Sequence, residues 1–126
     1  MTKLGEEWVG EINKKLGISI LLQALSKPII FPSKFFKSIT VVDTKNFGRV
    51  LILKEEEGET LQVSERWDIY SEMLVHVPMC AHPKPERILI VGGGDGSCAR
   101  EVLKHSTVKE IIIVEIDEEV YKAVSY

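Results

Sequence analysis

Apolar positions along the chain change their period at two places, and the changes divide it into elements. Ser38 to Asp43 and Gly48 to Lys54 are rich in Val and Ile, and the Thr44-Lys45-Asn46 between them is turn-like, so the two runs predict a β-hairpin. A third short strand is expected from Thr60 to Val63. The acidic run Glu55-Glu56-Glu57-Gly58-Glu59 reads as a solvated hairpin end, because like charges repel one another out of a compact element and Gly58 permits the turn. Ser64 is suited to accept from the free amides of a helix start. Ile69, Tyr70, Met73, Leu74 and Val77 then recur at helical spacing until Pro78 stops the run. Pro78, Pro83 and Pro85 mark a boundary, since proline lacks a donor and discourages helix before it. Residues 1–77 are therefore expected to form an N-terminal β-hairpin domain with a linking helix.

Residues 78–126 follow another pattern. Ile88-Leu89-Ile90-Val91 and Ile111-Ile112-Ile113-Val114 are continuous apolar runs, the signature of strands buried on both faces, and a helical stretch from Ser97 to His105 separates them. A helix between two such strands makes a right-handed parallel βαβ unit. A last amphipathic helix, Glu118 to Tyr126, carries Val120, Tyr121 and Val124 on one side. The expected fold class is α/β: a small N-terminal antiparallel β domain followed by the first βαβ unit of a Rossmann-like, methyltransferase-like parallel sheet. That sheet is incomplete, because two parallel strands cannot cover their own faces.

Composition narrows the function classes. The chain has 126 residues, 44% of them apolar, with 16 basic against 19 acidic side chains and a net charge of −3. This apolar content excludes a disordered tail, and an acidic balance without a basic block argues against nucleic acid or an anionic membrane as partner. No apolar run approaches the roughly 18 residues of a membrane span, so a cytoplasmic chain is expected. Cys80 and Cys98 lie outside any CxxC spacing and read as reduced thiols, while His76, His82 and His105 read as isolated surface or packing residues. No metal site is expected.

The candidate chemistry lies in Gly92-Gly93-Gly94-Asp95-Gly96-Ser97, a glycine loop that follows a buried strand and opens a helix. In that context glycines let a nucleoside ligand approach backbone amides. No Gly-Lys-Ser/Thr follows, which excludes a Walker A loop. Asp95 discriminates between ligands. A carboxylate there would repel the diphosphate of a dinucleotide and attract an adenosyl sulfonium bearing an ammonium group, so an S-adenosyl-type compound is favoured over NAD. Stabilisation of the helix N-terminus is its other possible role. Glu115 ends the second strand at about the spacing where an acid accepts from ribose hydroxyls. Asp117 joins the candidate set, with capping of the last helix as its simpler role.

These residues resemble those of the spermidine synthases and related polyamine aminopropyltransferases, over nearly the whole chain. The family loop Gly-Gly-Gly-Asp-Gly-Gly with its Leu/Arg-Glu-Val helix is similar to Gly92 to Ser97 followed by Arg100-Glu101-Val102-Leu103-Lys104-His105, with Ser97 in place of a glycine. Val114-Glu115-Ile116-Asp117, His82-Pro83-Lys84-Pro85, Glu72-Met73-Leu74 and His76-Val77-Pro78 resemble family segments, as do Gln62 with Glu65 and Trp8 with Glu11. The resemblance implies an enzyme of polyamine biosynthesis that transfers the aminopropyl group of decarboxylated S-adenosylmethionine, as co-substrate, to a small cationic diamine such as putrescine, with no prosthetic group. By resemblance Gly92, Gly93, Gly94, Asp95, Gly96, Glu115 and Asp117 hold the nucleoside side, Asp95 takes the aminopropyl ammonium, and Gln62 and Tyr70 face the diamine.

The family's general-base aspartate has no counterpart before Tyr126, so no catalytic residue is assigned. The chain is expected to be the N-terminal part of a larger transferase, inactive alone, working as a homodimer or with a partner chain that supplies the missing half. A noncatalytic binding or assembly subunit is the alternative, and an NAD-binding module, which Asp95 disfavours, is the third reading. The acceptor amine is not legible from these residues.

Overall fold

The computed structural model describes residues 8–66 and 68–126. Eleven elements follow in order: β1 (Trp8–Asn13), β2 (Ile18–Gln23), β3 (Ile29–Phe31), β4 (Ser38–Thr44), β5 (Gly48–Lys54), β6 (Gly58–Ser64), α1 (Ile69–Ala81), β7 (Arg87–Val91), α2 (Ser97–Val102), β8 (Glu110–Val114) and α3 (Glu118–Val124). The described residues form two compact units, 68–118 and 8–66 together with 119–126. The division falls ahead of α1, whereas the expected boundary at 77/78 lies within that helix.

The first unit is a six-stranded antiparallel sheet in the order β2-β1-β6-β5-β4-β3. The expected hairpin is its centre, with Asp43 opposite Arg49 and Thr44 Oγ1 donating to the Gly48 carbonyl at 2.8 Å across the turn. Alternation along these strands feeds two apolar clusters. Ile39, Val41, Leu51 and Leu53 point to one face, where Val120 and Ala123 of α3 cover them; Val42, Val50 and Ile52 point to the other and meet Leu22. The sheet curls enough for Ala24, just past β2, to bridge Thr44 of β4. The acidic run turns between β5 and β6 as expected, Glu55 N–H donating to the Gly58 carbonyl, and Glu56 and Glu57 pair with Lys37 and Lys15.

Two expectations are corrected in the next segment. Ser64 does not start a helix: it is the last residue of β6, opposite Val50 in the sheet, because pairing with β5 outweighs its local preference for a helix start. The helix begins after Asp68 instead, and it does not stop at Pro78. A proline inside a helix forfeits one hydrogen bond, but the chain recovers at once, His82 N–H donating to the Pro78 carbonyl at 3.0 Å.

The second unit contains the expected β7-α2-β8 arrangement, with the strands parallel and Ile88 beside Ile111. Only one face of this sheet is covered among the described residues. Ile88, Ile90 and Ile111 pack on Val75, Met79, Cys98 and Val102, whereas Leu89, Val91, Ile112 and Val114 are exposed, as expected of an incomplete sheet whose two strands cannot cover their own faces. The helix expected to reach His105 ends at Val102, and a turn closes it, with Lys104 and His105 amides donating to the carbonyls of Glu101 and Val102.

Helices α1 and α2 are held together by polar contacts that sequence reasoning missed. Glu101 is fully buried, and its carboxylate accepts from Lys104 Nζ at 2.5 Å, His76 Nε2 at 3.0 Å and Arg100 Nε at 3.3 Å. His76 Nδ1 lies 2.8 Å from His105 Nε2, so two of the three histidines read as isolated are hydrogen-bonded to each other. Arg100 also reaches Asp68 at 2.5 Å. The hydrogen bond from Lys104, with those from His76 and Arg100, outweighs burial and holds the Glu101 carboxyl down from 4.5 to about 2. A depressed carboxylate stabilises the fold fully above its unfolded value and loses that contribution as pH falls through its folded one. Urea unfolding followed by circular dichroism should therefore show stability declining as pH drops from 4.5 towards 2, with a shallower decline in Glu101→Gln. An equal decline in both would assign the acid sensitivity to other carboxylates.

Candidate functional site

Strand β7 runs directly into the glycine loop, and the loop runs directly into α2. Gly92, Gly93 and Gly96 adopt φ of 77°, 77° and 79°, left-handed values that side chains rarely take, and Gly96 occupies the N-cap position of α2. Gly94 is needed for another reason. A Cβ there would stand 2.7 Å from Glu115 Cγ and 2.9 Å from its Oε2, so only glycine lets the loop approach the acid that follows β8.

That approach forms a tie between the loop and Glu115. Gly94 N–H donates to Glu115 Oε2 at 2.8 Å, while Ile116 and Asp117 N–H donate to Oε1 at 2.8 and 3.1 Å. The carboxylate thus joins the ends of both parallel strands. Asp95 is held in a comparable way: the amide of Ser97 donates to its Oδ1 at 2.8 Å, and the Ser97 hydroxyl donates to the same oxygen. The remaining loop amides are used in part by the backbone, Gly92 N–H going to the Val114 carbonyl and Gly96 N–H to the Gly93 carbonyl. Four of the loop's amides are therefore engaged, two of them by carboxylates. A cradle for phosphate needs those donors free and no anions beside them. Two half-buried carboxylates suit hydroxyls and cations instead.

Behind the loop, α2 is fixed by the Glu101 contacts and by Cys98. Burial raises the Cys98 thiol above its usual range, more than a hydrogen bond with Ser71 lowers it, which leaves a packing group and not a nucleophile. Cys80 is exposed, and both cysteines are free.

Among the residues named from sequence, Gly92, Gly93, Gly94, Asp95, Gly96 and Glu115 meet around the loop, and Asp117 lies buried just before α3. Tyr70 is exposed in the first turn of α1, and Gln62 is exposed on β6, in the other unit. The part of Ser97 in holding Asp95 was not anticipated; its only sequence signal is a hydroxyl residue where the family loop has glycine. Among the described residues no group of three or more His, Cys, Asp or Glu could hold a metal ion, and no helix is long and apolar enough to cross a membrane.

An antiparallel sheet followed by a helix and a parallel β7-β8 pair with a glycine loop between them defines a Rossmann-like α/β chain. The Spermine/spermidine synthase domain matches residues 67–125. A polyamine aminopropyltransferase of Pyrococcus abyssi is 52% identical over 85 residues, covering 68% of this chain and 29% of the relative. That of Methanocaldococcus jannaschii is 40% identical over 107 residues, covering 83% and 35%. Spermidine synthase from Thermotoga maritima superposes with a TM-score of 0.77 at 31% identity, over 94% of this chain and 40% of that one. A spermidine synthase in complex with the transition state analogue AdoDATO also gives 0.77, at 30% identity, over 99% and 40%. The chain is similar to the N-terminal part of spermidine synthases and polyamine aminopropyltransferases, and its residues 67–125 match their common domain. It spans about a third of the length of these curated relatives.

Proposed function

We propose that this chain supplies the nucleoside side of an aminopropyltransferase site, which binds decarboxylated S-adenosylmethionine for transfer of its aminopropyl group to a diamine such as putrescine. Glu115 accepts the ribose hydroxyls, and Asp95 accepts the ammonium of the aminopropyl arm. Gly92, Gly93 and Gly96 shape the loop, Asp117 braces the segment after Glu115, and Tyr70 serves the diamine. In the transfer, the lone pair of a neutral amine attacks the carbon beside sulfur, the carbon–sulfur bond breaks, and its electron pair neutralises the sulfonium. The amine then loses a proton to a base that lies outside the residues assigned here. The chain's own contribution is to place the electrophilic carbon by holding the groups on either side of it.

The observation that carries this reading is the pair of carboxylates engaging the loop amides, Asp95 on Ser97 and Glu115 on Gly94. It favours a cationic adenosyl ligand over a diphosphate, and so over the dinucleotide alternative. Assembly with a further chain or copy is favoured by the uncovered apolar side chains Leu89, Val91, Ile112 and Val114.

Calorimetric titration tests the ligand assignment. Decarboxylated S-adenosylmethionine should bind, and Asp95→Asn should weaken it about thirtyfold, since a charge-assisted hydrogen bond contributes ~1.5–3 kcal/mol. Methylthioadenosine, which lacks the ammonium, should bind both forms alike. Indifference of the cationic ligand to this substitution would remove the proposed role of the loop.

A further inference from the structure

We propose that Ser97 is a positioning residue for Asp95: its hydroxyl and its amide together fix one carboxylate oxygen and leave the other to accept a primary ammonium group. This rests on the aminopropyl reading above. A carboxylate swings broadly about its last torsion, so an aspartate in a glycine loop has no preferred aim of its own. Here both donors come from Ser97 and both end on Oδ1. One donor would set a distance; two from different points of one residue restrict the rotation as well. Among the described residues no other hydrogen bond or ion pair reaches Asp95, so Oδ2 retains its acceptor capacity.

Ser97 is itself well fixed. It is the first residue of α2, its neighbour Cys98 is buried in the apolar cluster, and Arg100 N–H donates to the Gly96 carbonyl at 2.9 Å. A glycine at this position, as in the family loop, would offer the amide without the hydroxyl. The serine therefore adds selectivity for ligands that end in an ammonium over neutral adenosyl thioethers, and it does so without touching the ligand.

Calorimetry on the chain with decarboxylated S-adenosylmethionine and with methylthioadenosine tests this. Ser97→Ala deletes the hydroxyl and keeps the amide, and it should weaken the ammonium-bearing ligand about tenfold, the scale of one hydrogen bond to a charged group. The neutral thioether should bind as before, and Ser97→Thr, which restores a hydroxyl, should recover the difference. Equal weakening of both ligands in Ser97→Ala would show that the residue merely shapes the loop, and unchanged binding of both would show that the hydroxyl is idle; either result overturns the proposal. If the unsubstituted chain fails to prefer the ammonium-bearing ligand, the aminopropyl reading itself falls, a failure visible before any substitution is made.

Discussion

Gly94→Ala should reduce affinity for an adenosyl ligand about a hundredfold while leaving the antiparallel sheet intact, because the added methyl group enters space that Glu115 occupies. The collision is with Cγ at 2.7 Å and Oε2 at 2.9 Å, both on a side chain, so the acid rotates away sooner than the backbone yields. Rotation breaks the bond from Gly94 N–H to Oε2 and removes the carboxylate from the position proposed for the ribose. Hydrogen bonds to charged groups contribute ~1.5–3 kcal/mol, and the upper part of that range corresponds to the expected loss. The fall should be the same for decarboxylated S-adenosylmethionine and for methylthioadenosine, since both carry the ribose. Titration of the two ligands against the variant checks this, and a loss confined to the cationic one would place Glu115 elsewhere in the mechanism. Circular dichroism should retain the strand signal, because Gly94 contributes nothing to the apolar clusters of the first unit.

What made the fold legible was local. The β4-β5 hairpin announces itself by apolar runs around a polar turn, and the β7-α2-β8 arrangement by unbroken Ile and Val on either side of glycines. Strands β1 and β2 carry no such signal: in β2 only Leu22 is buried, so its apolar residues do not mark an inner face. The start of α1 was misplaced because Ser64 is a good local cap that a neighbouring strand claims first. Pro78 misled for the opposite reason, a local penalty that the helix absorbs. At the candidate site, Asp95 and Glu115 could be named from their places after the strands. The long-range bond that ties Glu115 to the loop could not, because Gly94 and Glu115 are 21 residues apart, and the same holds for the helix contact of His76 with Glu101, 25 residues apart. Sequence spacing shows that such groups share an end of the sheet or a helix pair, not which donor meets which acceptor.

Glu115→Gln should also cost about a hundredfold in affinity for both adenosyl ligands, and its relation to Gly94→Ala is the sharper test. The native carboxylate accepts on both oxygens, from Gly94 on one side and from Ile116 and Asp117 on the other. An amide has one acceptor oxygen and one donor nitrogen, so whichever way the glutamine turns, at least one of these N–H groups faces another N–H. Its oxygen is expected to stay with Ile116 and Asp117, which keeps two bonds and gives up one, so the loop loses its tie to β8, and the charge that would strengthen the proposed bonds to ribose hydroxyls is gone. Because both substitutions break the same Gly94 to Glu115 bond, their effects should overlap. Residues that share one interaction show coupling and not additivity. The double variant should therefore bind only slightly worse than the weaker single variant, where independent effects would multiply to about ten-thousandfold. A multiplied loss would mean that Gly94 serves the ligand by some route other than Glu115, and the two carboxylates would then have to be treated as separate features of the loop.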